Sequence, residues 1–423
     1  MATVRWLGRA KATTHKVTIT VGGVLVGDTF TISVGGKVIV SFTDSTGVIE
    51  TAVDAMISQW NASTSGFATP ITATKSGTTM IVLTADEAGF PFAVTLTVSV
   101  GAATFTQATT VTATGPNFFD NADNWSGGVA PASTDNIIFE NNNINCCWNI
   151  SQPAIEAANI YIMASFTGLI GLRADRVATT ADGATNSTTE PEYRSTYLEF
   201  DHYDRLEIGE KVGPGTVAGS RRIKIDNNNT DTLDDPSIIV VHSTASSSIE
   251  GAGVPAVRLL AADNGVDIYI NSALGGVGIA VDQRNETSTV GNIRVADPST
   301  SSRVYVGSGV TFTSFEQLGG TNEVASANTP TTVSCFAGVL NLKGVSAITT
   351  LDINGGIVND GRKANITTVN IDNGTLDATV NQEAKTYTNV NLGPGANLVL
   401  DQYLTVTNWW NTAIDKKLSL SVA

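Results

Sequence analysis

The chain has 423 residues, long enough for two or three domains or for one long repetitive one. Its 24 basic residues face 39 acidic ones, a formal net charge of −15, which argues against a broad footprint for nucleic acid or an anionic membrane surface. Only 15% of residues are charged, and the wealth of Gly, Thr, Asn, Ser and Val suits short strands and tight turns, so an all-helical protein is excluded and a mainly β one expected.

The opening stretch "MATVRWLGRAKATTHKV" carries positive charge but no apolar run of signal-peptide length, and no window approaches a transmembrane helix. The expectation is a protein folded in a cytoplasm, with sequons such as that at Asn186 arising by chance. Residues 1–114 read as a small α+β module. In "TFTISVGGKVIVSFT", Phe30, Ile32 and Val34 alternate up to Gly35-Gly36, and Val38, Val40 and Phe42 alternate away, which predicts a hairpin. A helix follows, with Val48, Ala52, Met56, Ile57 and Trp60 on one stripe facing its own sheet and Thr46 as its N-cap. Strands are predicted at Ile81–Thr84 and Val94–Val98. Residues 101–116 form either a linker or a last connecting strand.

From residue 115 the character changes. Phe118, Phe119 and Trp125 gather around Gly127-Gly128, and residues 115–150 read as an aromatic cap at the entry to a repetitive region. Short apolar strands then recur between Asn, Gly and Ser turns ("ANIYIM", "TYLEF", "RRIKID", "SIIVVH", "VDIYIN"), interrupted by a polar loop at Ala178–Glu192. The adjacent Cys146 and Cys147, and Cys335, give neither a disulfide framework nor a zinc pattern.

The sharpest signal is a repeat. Phe315, Val333, Leu351 and Val369 stand 18 residues apart, as do Gln317, Cys335, Ile353 and Ile371. Gly320, Gly338, Gly356 and Gly374 form a third column, and Asn322, Leu340, Val358 and Leu376 a fourth. Val390 and Leu392 continue the pattern at a step of 21. That period suits one turn of a single-stranded parallel β-helix (β-solenoid), with rungs roughly 4.8 Å apart, apolar columns inside and a Gly column at a corner. The solenoid is assigned to residues 151–407. Residues 408–423 are left as a C-terminal cap or tail, with Trp409 and Trp410 closing the core or meeting a neighbouring subunit.

Candidate chemistry is sparse. Asp352 lies between inward Leu351 and Ile353 and so points outward. Asp372 aligns with Asn354 in another column, and both read as solvated positions. Cys335 reads as a small buried hydrophobe. In "YLEFDHYDRLEIGE", alternation with Leu198 and Phe200 puts Glu199, Asp201 and Tyr203 on one outward face near His202, Asp204 and Arg205. Glu199 and Asp201 are therefore the weak candidates for a carboxylate pair, against a charged sheet face as the alternative. Asp226–Asp235 is rich in oxygen ligands but lacks EF-hand spacing, and reads as a polar turn. His15, His202 and His242 form no metal pattern, and no P-loop, G-x-S-x-G or dinucleotide fingerprint appears. No cofactor or metal is expected.

The "VTITVGGVLVGDTFTISVGGKVI" module, "NFFDNADNWSGGVAPASTDNIIF", "PEYR…TYLEF" and rungs ending "ITTLDINGGIVND" together resemble a group of phage virion structural proteins. The resemblance implies a non-enzymatic component on the outside of the particle, assembled in the host cytoplasm. It implies a homotrimer that decorates the capsid as a cement protein or forms part of a tail fibre or spike. Its partners would then be itself, the major capsid protein or tail proteins, and a host surface glycan in the fibre case. A polysaccharide depolymerase is the remaining alternative, and no catalytic residue carries over.

Overall fold

The structure is a computed structural model that describes residues 2–99, 103–150, 152–153, 155–172, 195–210, 219–227, 238–251, 253–261, 266–271, 278–283, 288–297, 303–326, 328–344, 346–411 and 419–422. It is mainly β, with a parallel β-solenoid of about 9 turns and small antiparallel sheets near the N-terminus. Among the described residues no helix is long and apolar enough to cross a membrane. The polar loop expected at Ala178–Glu192 lies outside the described residues.

The N-terminal module is built from two antiparallel sheets. One orders Ile71–Ser76, Met80–Ala85, Lys16–Gly22 and Thr104–Val111; the other orders Lys37–Thr43, Thr29–Val34 and Val94–Ser99. Residues 104–111 are therefore a strand, paired with Lys16–Gly22. The expected hairpin turns at Gly35 and Gly36, both with positive φ, the conformation that matches the twist of the flanking strands. The helix spans Ile49–Asn61 and buries Ala52, Val53, Met56 and Trp60 against both sheets. Its indole donates to the Ile71 carbonyl at 2.8 Å, so the largest apolar residue also carries a satisfied polar tip.

Two expectations about this helix are corrected. Val48 is its N-cap and is 50% exposed, so it lies off the buried stripe. Thr46 is not the cap; its hydroxyl accepts from the Val48 amide at 3.2 Å and donates to Asp44. The buried Asp44 carboxylate organises the approach, accepting from the amides of Thr46 and Gly47. A carboxylate just ahead of the first turn also complements the positive end of the helix.

Grouping residues 1–114 as one unit does not describe the path of the chain. Thr3–Arg5 pairs in parallel with Asn136–Phe139, so the chain starts in the solenoid, leaves to build the module, and returns. The crossing is fastened by Asn124, which is fully buried. Its Oδ1 accepts from the Ala10 amide at 2.7 Å, and its Nδ2 donates to the carbonyls of Gly115 and Phe118 at 2.8 Å each. Trp125 closes the first rung, as expected of a cap, and it does so with a tryptophan from the start of the chain. Trp6 and Trp125 are each 1% exposed and meet edge to face at 5.1 Å, with Phe119 and Phe139 against them.

Each rung contributes a stretch of strand to each of two parallel faces, and in Ile366–Asp377 and Lys385–Leu400 a single strand runs through both. The first face runs from Thr3–Arg5 through Asn136–Phe139, Asn159–Met163 and Arg205–Glu210 to Leu404–Asn411. The second runs from Ile155–Glu156 through Leu198–His202 and Ile223–Asn227 to Ser419–Val422. The repeat columns appear as ladders. Phe315, Val333, Leu351 and Val369 pair in register, with Gln317, Cys335, Ile353 and Ile371 two places on. All eight are at most 1% exposed. The step of 21 is equally real, since Val369 pairs with Val390 and Ile371 with Leu392.

The Gly column marks the corner between the faces. Gly320, Gly338, Gly356 and Gly374 all have positive φ, between 75° and 113°. A Cβ on Gly338 would stand 2.2 Å from the Gly320 carbonyl oxygen, so stacking leaves no room for a side chain. Cys335 is buried and its thiol is pushed up to about 11 by that burial; Cys146 and Cys147 are buried and unbridged. Two polar residues enter the apolar columns together. Asn322 Nδ2 donates to Gln317 Oε1 at 2.9 Å, and Gln317 Nε2 to the Ala337 carbonyl at 2.7 Å, so both buried amides are satisfied. Trp409 and Trp410 belong to the strand of the last rung on the first face, not to a separate tail.

Candidate functional site

The acidic stretch 197–210 turns a corner, and the corner divides it. Leu198 and Phe200 point into the core, and Glu199 and Asp201 stand partly exposed on the outside of the second face. Tyr203 does not join them. The strand ends at His202, the chain turns, and Tyr203 is fully buried with its hydroxyl donating to Asn227 Oδ1 at 2.5 Å. Burial drives its phenol far above the ordinary range. Arg205 continues onto the first face, so it is separated from Glu199 and Asp201 by the corner. The side chain of His202 lies outside the described residues.

The register supplies Glu199 with a neighbour that spacing did not reveal. Asp226 pairs with it from the next rung, so the outside of the second face places two carboxylates side by side. Asp226 opens the stretch read as a polar turn; Asn227 points inward, and residues 228–235 lie outside the described residues. Beside the acids runs a buried row of cations. Lys224 is 2% exposed, its ammonium 2.7 Å from Glu250 Oε1 and donating to the Leu172 carbonyl at 3.0 Å, while Arg222 lies 3.9 Å from the same carboxylate. Burial lowers the Lys224 pKa against the pull of Glu250, and burial raises that of Asp282 against Arg258. The candidate pair thus adjoins a buried seam in which Glu250 faces Lys224 and Arg222.

A second constellation lies outside the first face. Glu207 receives Arg205 Nε on one oxygen and His242 Nε2, at 2.9 Å, on the other. Asn271 Nδ2 stands 3.4 Å from His242 Nδ1, so the second ring nitrogen also has a polar neighbour. Burial works to raise the Glu207 carboxyl, but the bonds from Arg205 and His242 outweigh it and hold it below the usual carboxylate value. Tyr161 and Tyr269 occupy the same outward column on either side. Both histidine nitrogens are engaged, so the group orders the surface as a fixed aromatic and charged strip. The sequence offered no signal for it, because Glu207 and His242 are 35 residues apart.

Toward the C-terminus, Asp352 points outward as expected and pairs with Ser334 and Asn370. It is part of a ladder of side-chain bonds: Asn370 Nδ2 donates to Asp352 Oδ1 at 2.7 Å, and Asn391 Nδ2 to Asn370 Oδ1 at 2.6 Å. Asp372 stands in another column, yet it lines the same shallow depression of about 320 Å³ with Asp352, Asn354 and Asn391. The result is an amide ladder with carboxylates along one edge, a surface able to meet hydroxyl-rich or cationic groups. Among the described residues, no three His, Cys, Asp or Glu side chains are placed to hold a metal ion.

No family model matches the chain, and no match is found among curated proteins or solved structures.

Proposed function

We propose that this chain is a non-enzymatic structural protein of a phage virion, acting as a capsid decoration (cement) protein. The observation that carries the reading is the division of labour between two cores. The module packs around Phe30, Met56 and Trp60, and a separate core runs unbroken from Trp6 to Leu398 along the solenoid. A stacked apolar core with satisfied ladders makes a stiff rod. A compact module fastened beside its plugged end is suited to attachment, with the major capsid protein as partner. Imaging of intact particles tests this: density for the rod at capsid sites is expected, and density confined to the tail tip overturns the decoration reading.

The outer strips favour a second reading, a receptor-binding fibre or spike that meets a host surface glycan. Tyr161, Tyr269 and the amide ladder around Asp352 are groups that contact sugars through rings and hydroxyl bonds. Adsorption of the purified protein to host cells, lost on replacing Asp352 and Asn370 by Ala, would establish this reading over the first.

A further inference from the structure

Successive rungs of the first face repeat one polar pattern on the outside. Ser314, Thr332, Thr350, Thr368, Asn389 and Asn408 pair in register, and a threonine precedes each of them, from Thr313 to Thr407. Two places on, a second outward column runs through Glu316, Ser334, Asp352, Asn370, Asn391 and Trp410. None of these side chains is buried, and none is a Lys or Arg. The amides align along the rod. Asn391 donates to Asn370 at 2.6 Å, Asn370 to Asp352 at 2.7 Å and Asn408 to Asn389 at 2.9 Å, each toward the preceding rung. An amide nitrogen carries two hydrogens and its oxygen two lone pairs, so each Asn keeps a donor and an acceptor after bonding its neighbour.

Period and charge select the ligand. The donors and acceptors recur once per rung, about every 4.8 Å, close to the advance of one ring along an extended pyranose chain. A polypeptide strand laid the same way would fall out of step, because its like-facing side chains recur about every 6.8 Å. The two columns hold no cation for a phosphate, sulfate or uronate. Glu316 is paired with Arg294 at 3.3 Å, whereas Asp352 and Asp372 form no ion pair among the described residues, so an anionic chain is repelled. Neutral hydroxyls suit both groups, since a carboxylate accepts from them and an amide does both. Trp410, 50% exposed, offers a ring to the apolar face of a sugar. The depression at Asp352, Asp372 and Asn391 reaches Gly393, where a Cβ would stand 2.8 Å from the Asp372 Cα, and it leaves room for a ring substituent.

We propose that this face binds an extended, uncharged polysaccharide laid along the rod, one ring per rung. This binding rests on the fibre reading and gives it the class and direction of its glycan. Titration calorimetry of the full chain with β-1,4-linked oligomers of glucose, mannose and N-acetylglucosamine tests it, with oligogalacturonate as the acidic comparison. Affinity for an uncharged series should rise with length from disaccharide to hexasaccharide, and the acidic series should not bind. Asn370→Ala should weaken binding about 3–10-fold, the worth of a lost hydrogen bond. Asn359→Ala removes an equivalent amide bond on the second face, to Asn341 at 2.8 Å, and should leave binding unchanged. Should Asn370→Ala misfold, Thr349→Glu, at an exposed position in the array, should weaken binding likewise. Equal affinity at every length, binding of the acidic series, or equal loss in both Asn variants overturns the proposal while leaving glycan recognition in place. Failure of every series to bind also overturns it, and the fibre reading then falls only if cell adsorption is absent as well.

Discussion

Inside the solenoid the residues that matter most are those with no room for change. At Gly338, φ of 80° and the 2.2 Å approach to the Gly320 carbonyl act together. Gly338→Ala should lose about 1–3 kcal/mol from conformation alone, with the clash adding to it. Gly128→Ala, where φ is 68° and nothing lies within 4 Å, should lose only the conformational part. Urea unfolding of the two variants separates these contributions; equal losses would mean that the corner relaxes freely. Asp360 is the second such residue, with no exposed surface. It accepts from Arg362 Nε at 2.8 Å and Tyr387 Oη at 2.6 Å, and its own carbonyl accepts from Lys385 Nζ at 2.8 Å. Asp360→Asn leaves two buried cations without their counter-charge and should cost about 3–5 kcal/mol in the same assay. A loss under about 1 kcal/mol, the worth of an exposed pair, would show that water reaches the network.

At the scale of elements, the junction between module and solenoid is where pH should act. His15 is 5% exposed, its Nδ1 accepts from the Ala113 amide at 3.1 Å, and it lines a cavity of about 340 Å³ with Phe92, Gln107 and Asn149. Burial lowers its pKa from 6.5, with the Phe92 backbone acting weakly the other way. The unfolded chain therefore takes up this proton at a higher pH than the folded one. The contribution to stability is complete above pH 6.5 and is lost as pH falls through the lower, folded value. Thermal melts followed between pH 7.5 and 5 should show a fall in midpoint that is blunted in His15→Gln; an equal fall in both proteins would assign the acid sensitivity elsewhere. The junction was also the element least legible in the sequence. Thr3–Arg5 is three residues long and finds its partner 133 residues on, a distance that no local pattern encodes. The rungs from Phe315 to Leu376 were legible because their corners are short and equal, so inward columns recur every 18 residues. Between Asn136 and Ser314 one column passes through Asn159, Arg205, Ile238, Asp267 and Asn292. A parallel ladder constrains the strands and leaves the loops free, so unequal loops erased the period while the stacking persisted. The same erasure hid Asp226 beside Glu199 and His242 beside Glu207.

For the whole molecule, the arrangement of its cores dictates how it should fail. Each rung touches only the rungs before and after it, and the module holds a core of its own. Leu351 is fully buried in the most regular part, stacked between Val333 and Val369. Leu351→Ala should cost about 2–5 kcal/mol, and the damage should stay local along the rod. Hydrogen exchange read by mass spectrometry should show lost protection in the strands from Val310 to Leu400, with Lys16–Gly22 and Met80–Ala85 protected as before. Loss spread equally into the module would show that the two cores unfold as one, and the rod would then be rigidly coupled to its attachment end. Local failure is the expected result, because the two large cores are separate clusters, with the buried Asn124 and a small cluster of Ala113, Phe118 and Cys147 where the chain crosses between them.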